Sequence, residues 1–101
     1  MIQLIESAAG EMEVLPMGHL TREDMDELSA RLEEALSRAK GSIVLNFQGL
    51  KSLSSSALGK FLHFKARCDQ KGIRLSIRHC SPEMLQLLKM IKFDSLIQME
   101  T

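Results

Sequence analysis

The chain has 101 residues, 45% of them hydrophobic, and its 13 Lys and Arg residues balance its 13 Asp and Glu residues. This length supports one hydrophobic core, so we expect a single domain over residues 1–101 and exclude enzymes that need separate cofactor and substrate domains. The neutral balance argues against nucleic-acid binding, and the 4% aromatic content, all of it Phe, leaves no Trp or Tyr to stack on bases.

The sequence also bears on the compartment. It has no apolar run of the length that a membrane span requires, and its N-terminus lacks the basic, apolar and small-residue order of a signal peptide. We therefore expect a cytoplasmic protein without direct membrane insertion. Cys68 and Cys80 are too few for a disulfide framework, so both are predicted to be free thiols.

The first half of the chain predicts a hairpin, a helix and a buried strand. The apolar stretches at residues 2–5 and 12–17 flank the turn Ser7-Ala8-Ala9-Gly10, as in a β-hairpin. Thr21 is the predicted cap of a helix that begins at Arg22 and ends at Gly41. The apolar run at residues 43–47 predicts the central strand of a sheet, covered on both faces.

The second half continues the alternation of helices and strands. A loop over residues 48–54 leads into a helix whose buried stripe is Ala57, Phe61, Phe64 and Cys68. Residues 73–78 alternate apolar and polar, which predicts a strand near a sheet edge. Ser81-Pro82-Glu83 opens a third helix, and residues 95–99 form a last short strand. The order β-β-α-β-α-β-α-β predicts an α/β domain with a mixed sheet of about four to five strands and helices packed against it.

A motif after the predicted central strand is similar to that of a known family. Residues 43–59, which read Ile-Val-Leu-Asn-Phe-Gln-Gly-Leu-Lys-Ser-Leu-Ser-Ser-Ser-Ala-Leu-Gly, resemble the signature of STAS domains, the family of bacterial anti-sigma factor antagonists. In that signature a hydrophobic strand ending in Asp-Leu leads to Asp-Ser-Ser-Gly-Leu-Gly at the start of a helix. Gly18-His19-Leu20, Leu87-Leu88 and the element order extend the resemblance over nearly the whole chain.

The resemblance implies a STAS-like fold and a small non-enzymatic regulatory protein. Such a protein binds an anti-sigma factor, often a serine kinase, and is released when that kinase phosphorylates its serine. By position in the motif, the phosphoacceptor falls on Ser56 with Ser55 beside it. Three positions depart from the signature, because Asn46 and Ser54 stand where the family has aspartate and Ala57 stands where it has glycine.

The predicted partner surface surrounds this motif. A phosphate at Ser56 would lie at the positive end of the helix dipole, and its charge would disfavour docking on an acidic or apolar partner. Leu62 lies well off the buried stripe, so it either joins an apolar contact patch or is covered by a neighbouring loop. The residues predicted to contact the partner are Leu53, Ser54, Ser55, Ser56, Ala57, Leu58, Gly59 and Leu62.

Two alternatives remain beside the switch. One is a STAS subunit that scaffolds a signalling complex or a transporter's cytosolic face, in which the serines only cap the helix. The other is a small enzyme with Ser56 or Cys68 as nucleophile. The sequence contains no Gly-x-Ser-x-Gly, His-Glu-x-x-His or Cys-x-x-Cys motif, so we predict no catalytic residue, cofactor or metal site. It makes no prediction of oligomeric state.

Overall fold

The computed structural model describes residues 1–7 and 9–100, so Ala8 of the predicted turn lies outside the described residues. Short 3-10 turns at Arg22–Asp24 and Phe93–Ser95 accompany the helices and strands. In chain order these elements are Ile2–Glu6 (β1), Met12–Pro16 (β2), Gly18–Leu20 (β3), Met25–Arg38 (α1), Ser42–Asn46 (β4), Leu50–Leu53 (β5), Ser55–Gln70 (α2), Arg74–Arg78 (β6), Pro82–Met90 (α3) and Gln98–Glu100 (β7).

A five-stranded mixed sheet with the order β1-β2-β4-β6-β7 forms the main layer. β1 pairs antiparallel with β2, and the remaining neighbours are parallel. A helix lies in the connection between each pair of neighbouring parallel strands, as is usual for parallel pairing. The predicted α/β class, the strand number and the central place of β4 are therefore confirmed.

The two faces of β4 have different surroundings. Ile43 and Leu45 belong to the hydrophobic core, whereas Val44 and Asn46 alternate onto the opposite face. Asn46 is only 6% exposed and its Nδ2 donates a hydrogen bond of 2.8 Å to Oε2 of Glu13 on β2. Residues 43–46 are all buried, which confirms the predicted strand covered on both faces, and polar groups of β2 lie beside it at Asn46.

Two short strands were not predicted. β3 and β5 form a separate parallel pair, where the sequence pattern indicates only the approach to a helix and a loop over residues 48–54. They have three and four residues, which is too short for an alternating pattern to be visible. β6 lies near the edge, as predicted, because it is next to the edge strand β7, but Ser76 on its predicted polar face is buried.

The predicted capping residues Thr21 and Gly72 are confirmed, whereas the bounds of α1 differ, since it ends at Arg38 and not at Gly41. The Thr21 N–H donates to Oδ2 of Asp24 at 2.8 Å, and the Glu23 N–H donates to Oγ1 of Thr21 at 3.3 Å. The hydrogen bonds from Thr21 lower the pKa of the Asp24 carboxyl. The chain then forms a 3-10 turn at Arg22–Asp24 before α1, so the helix itself begins three residues later than predicted. At the end of α2, Gly72 has a φ of 70°, a conformation that favours glycine.

Candidate functional site

Three consecutive serines lie at the start of α2, and their roles differ. Ser54 is the N-cap, and its side chain accepts a hydrogen bond of 3.2 Å from the Ala57 N–H. Ser55 and Ser56 occupy the first turn of the helix and are exposed to solvent. One hydroxyl is sufficient to cap a helix. The hydroxyls of Ser55 and Ser56 are therefore available for other functions.

The β3–β5 pair holds the approach to α2 in place. The Ser54 N–H donates to the carbonyl oxygen of Leu20 on β3 at 2.9 Å. On the exposed side of the pair, Nδ1 of His19 lies 2.6 Å from Oγ of Ser52. Sequence reasoning missed both strands and this His–Ser contact, because the partners are 33 residues apart and carry no local motif.

Aromatic packing anchors the start of α2 to the sheet. The ring of Phe61 packs against that of Phe47, which follows β4, with centroids 5.6 Å apart and planes inclined at 54°. The predicted stripe of Ala57, Phe61, Phe64 and Cys68 is buried, as the helical spacing indicated. Ser55 and Ser56 therefore lie at the end of a helix whose position is fixed by packing against the core.

The predicted partner residues lie at different depths. Ala57 is 0% exposed and packs in the core, so it can influence a partner only through the position of its neighbours. Leu62 is 39% exposed, which agrees with its place off the buried stripe. Of the remaining residues, those at the surface are Ser55, Ser56 and Gly59, and the half-buried ones are Leu53, Ser54 and Leu58.

Asn46 is engaged by groups within the fold. Its Nδ2 bonds to Glu13, and its Oδ1 accepts a hydrogen bond of 2.9 Å from the Gln48 N–H. An amide at this position satisfies one acceptor and one donor at once. The departure from aspartate therefore follows from the carboxylate of Glu13 beside it, because a second carboxylate would repel the first.

The two thiols are free, as predicted, and both are poor nucleophiles. Burial raises the pKa of the Cys68 thiol to about 11, and burial also raises the pKa of Cys80. At neutral pH both groups are therefore protonated, whereas nucleophilic attack requires the thiolate. This environment disfavours the enzyme alternative that uses Cys68.

Within residues 1–7 and 9–100, no group of three or more His, Cys, Asp and Glu side chains is placed to hold a metal ion. Over the same part of the chain, every helix is too short or too polar to span a bilayer.

Comparison with known proteins identifies the family and supports the fold. The family model described as "Mlab, STAS domain" matches residues 6–98. The chain therefore belongs to the STAS domain family. No curated protein sequence matches it significantly.

Two solved structures of the anti-sigma factor antagonist SpoIIAA resemble the chain in fold. The unphosphorylated form aligns with a TM-score of 0.77 at 18% identity, over 100% of this chain and 88% of that one. The phosphorylated form, described as a Bacillus cell fate determinant, aligns with a TM-score of 0.76 at 18% identity, over 100% and 92% of the two chains. At this identity the likeness establishes the shared fold.

Proposed function

We propose that the protein is a non-enzymatic binding module of the anti-sigma factor antagonist type. It binds a partner protein, such as an anti-sigma factor with serine kinase activity, through the exposed side of α2 at its N-terminal end. Phosphorylation of Ser56 releases the partner, and Ser55 is the neighbouring hydroxyl. The observation that carries the proposal is the division of roles among the serines: Ser54 caps the helix, while Ser55 and Ser56 are exposed.

The surroundings of Ser56 suit a phosphate. A group at the second helical residue faces the unpaired N–H groups and the positive end of the helix dipole, which stabilise negative charge. The first turn of α2 contains no acidic side chain that would repel it. Membership of the STAS family and the SpoIIAA-like fold support a regulatory binding role, and SpoIIAA itself has a phosphorylated and an unphosphorylated form.

The contact surface includes Leu62. It lies two turns along α2 from Ser55, and Gly59 between them has no side chain that would separate a partner from the helix. Leu62 is a large apolar side chain that is 39% exposed, so covering it with a partner makes the free energy of binding more favourable.

The test combines phosphate mapping with binding. The protein is used to isolate its partner from a lysate of its own source cells, and peptide mass spectrometry after incubation with ATP locates any added phosphate. We expect the phosphate on Ser56. We also expect Ser56→Asp to weaken partner binding at least about tenfold, since the added charge opposes docking, while Ser56→Ala keeps the affinity.

Ser37→Asp is the matched control, because Ser37 is an exposed serine on α1 and receives the same charge far from the motif. Full affinity of Ser56→Asp, together with an unphosphorylated Ser56, would refute the switch.

A second candidate is a STAS subunit that binds its partner constitutively, within a signalling complex or at a transporter's cytosolic face. It is favoured by the Ser54 cap, because a serine performs a structural role where the family motif has aspartate. In that case Leu62→Ala weakens binding while every Ser56 variant leaves it unchanged.

A further inference from the structure

The charges of this chain are segregated along the sequence and in the fold. Nine of its 13 acidic residues precede Lys40, and ten of its 13 basic residues lie at Lys40 or after it. No Asp or Glu occurs between Glu34 and Asp69. That interval contains β4, β5 and nearly all of α2, so over these residues the three elements carry basic but no acidic side chains, whereas α1 beside α2 carries Glu33.

One side of α2 concentrates this charge. Ser56, Lys60, His63 and Arg67 are spaced by four, three and four residues, so they follow one line along the helix. Lys60, His63 and Arg67 border, with Glu33 and others, a groove of about 200 Å³ between α1 and α2. Ser56, Lys60 and His63 are exposed, so the N-terminal part of this line is accessible to a partner.

The cations of α2 differ in whether an acidic group already neutralises them. Arg67 pairs with Glu33 across the groove, and Lys65 pairs with Asp69 at 2.5 Å. Among the residues that the structure describes, neither Lys51 nor Lys60 takes part in an ion pair. Lys60, one turn from Ser56 on α2, and Lys51 on β5 are therefore available to an acidic group of a partner.

We propose that the partner presents an acidic segment, whose carboxylates meet Lys60 and Lys51 and which lies along the exposed line from Ser56 to His63. This inference rests on the proposed function and specifies the chemistry of the partner. Complementary charge raises the association rate and selects the partner, while Leu62 supplies the apolar contact.

The same arrangement explains how a phosphate would act. Ser56 and Lys60 are four residues apart on one helix, the spacing at which opposite charges interact. A phosphate on Ser56 would therefore pair with Lys60 within the protein. It would compete with the partner's carboxylates for that cation and repel them at once.

The experiment uses a defined acidic probe. The ¹⁵N-labelled protein is titrated with poly-L-glutamate of about 20 residues at an ionic strength of about 0.01 M, where the Debye length is roughly 30 Å. We expect amide shifts concentrated at Lys51, Ser56, Lys60 and His63, and much weaker binding at about 0.15 M salt. Poly-L-lysine is the control polymer, for which we expect no shifts on this line.

Matched variants locate the interaction. Lys60→Glu should weaken poly-L-glutamate binding about tenfold, which corresponds to about 1.4 kcal/mol. Lys89→Glu makes the same charge change at an exposed lysine of α3 and should alter the affinity less than about twofold, a change that long-range effects alone explain. Unchanged circular dichroism of both variants confirms that they fold.

Each other result overturns the inference. Equal effects of the two variants, or shifts centred on α3 or β6, would show that the α2 line has no particular attraction for carboxylates. If the same residues bind vesicles of phosphatidylglycerol and phosphatidylcholine more tightly than they bind poly-L-glutamate, the line is assigned to a membrane surface. In the partner assay, insensitivity to Lys60→Glu with sensitivity to Leu62→Ala or Ser56→Asp would overturn the acidic partner and leave the proposed function standing.

Discussion

The hydrogen bond between Asn46 and Glu13 predicts that aspartate, the residue of the STAS signature, is unfavourable at position 46 of this chain. Nδ2 of Asn46 lies 2.8 Å from Oε2 of Glu13, and Asn46 is only 6% exposed. Asn46→Asp replaces the donor by a carboxylate oxygen of nearly the same size. It therefore changes the charge of the site without opening a cavity.

The cost of Asn46→Asp follows from this geometry. Two carboxylates about 4 Å apart repel by about 4 kcal/mol at an effective dielectric constant of about 20. Loss of a hydrogen bond to a charged group adds about 1.5–3 kcal/mol, and rotation of the half-buried Glu13 towards solvent relieves part of the total. We expect the free energy of unfolding to fall by about 3 kcal/mol, which lowers Tm by about 12 °C or more.

The loss should depend on pH. Repulsion from Glu13 raises the pKa of the introduced carboxyl above its unfolded value of about 3.9. The folded state then binds that proton more tightly than the unfolded state does. The destabilisation is therefore complete above the raised pKa, and it disappears as the pH falls towards about 4.

Urea unfolding of a double-mutant cycle measures the effect. Glu13→Gln alone keeps an acceptor for Asn46 and should cost about 1 kcal/mol. In the double variant the new amide donates to the new carboxylate, so about 2 kcal/mol of the loss should return as coupling energy. A cost below about 1 kcal/mol for Asn46→Asp at neutral pH, or the same cost with and without Glu13, would refute the reasoning.

Three further comparisons test the helix cap, the burial of the α2 side chains and the reactivity of Cys68. Ser54→Ala should lower the unfolding free energy by about 1 kcal/mol and Ser55→Ala by less than about 0.5 kcal/mol, and equal losses in urea would contradict the assignment of the cap. Phe61→Ala should cost about 3–5 kcal/mol and Leu62→Ala about 1 kcal/mol or less; the reverse order would place Leu62 in the core. Cys68, with its pKa of about 11, should react with a disulfide reagent at about pH 8 only at the rate of unfolding, and immediate modification of the folded protein would contradict its burial.

Much of the fold was predictable because its signals are local. The hydroxyl of Thr21 and the Ser81-Pro82 pair mark helix starts, and Gly72 marks a helix end, through interactions that span only a few residues. The apolar run at residues 43–47 identified the central strand for the same reason. The family signature likewise lies in one continuous segment, so the position of the candidate site was visible in the sequence.

Contacts between distant residues decided the rest. β3 and β5 exist as strands only because they pair with each other, and neither is long enough to show a periodic pattern alone. Which of the three serines caps α2 depends on where the helix begins against the sheet.

The ion pairs and the hydrogen bond of Asn46 also depend on contacts between residues that are distant along the chain. The sequence by itself determined how many acidic and basic residues there are and which of them are neighbours along the chain. Only the tertiary structure decided that Glu33 neutralises Arg67 and that Glu13 reaches Asn46, since these pairs are more than 30 residues apart. Electrostatic energy depends on distance in space, which periodicity and local motifs do not specify.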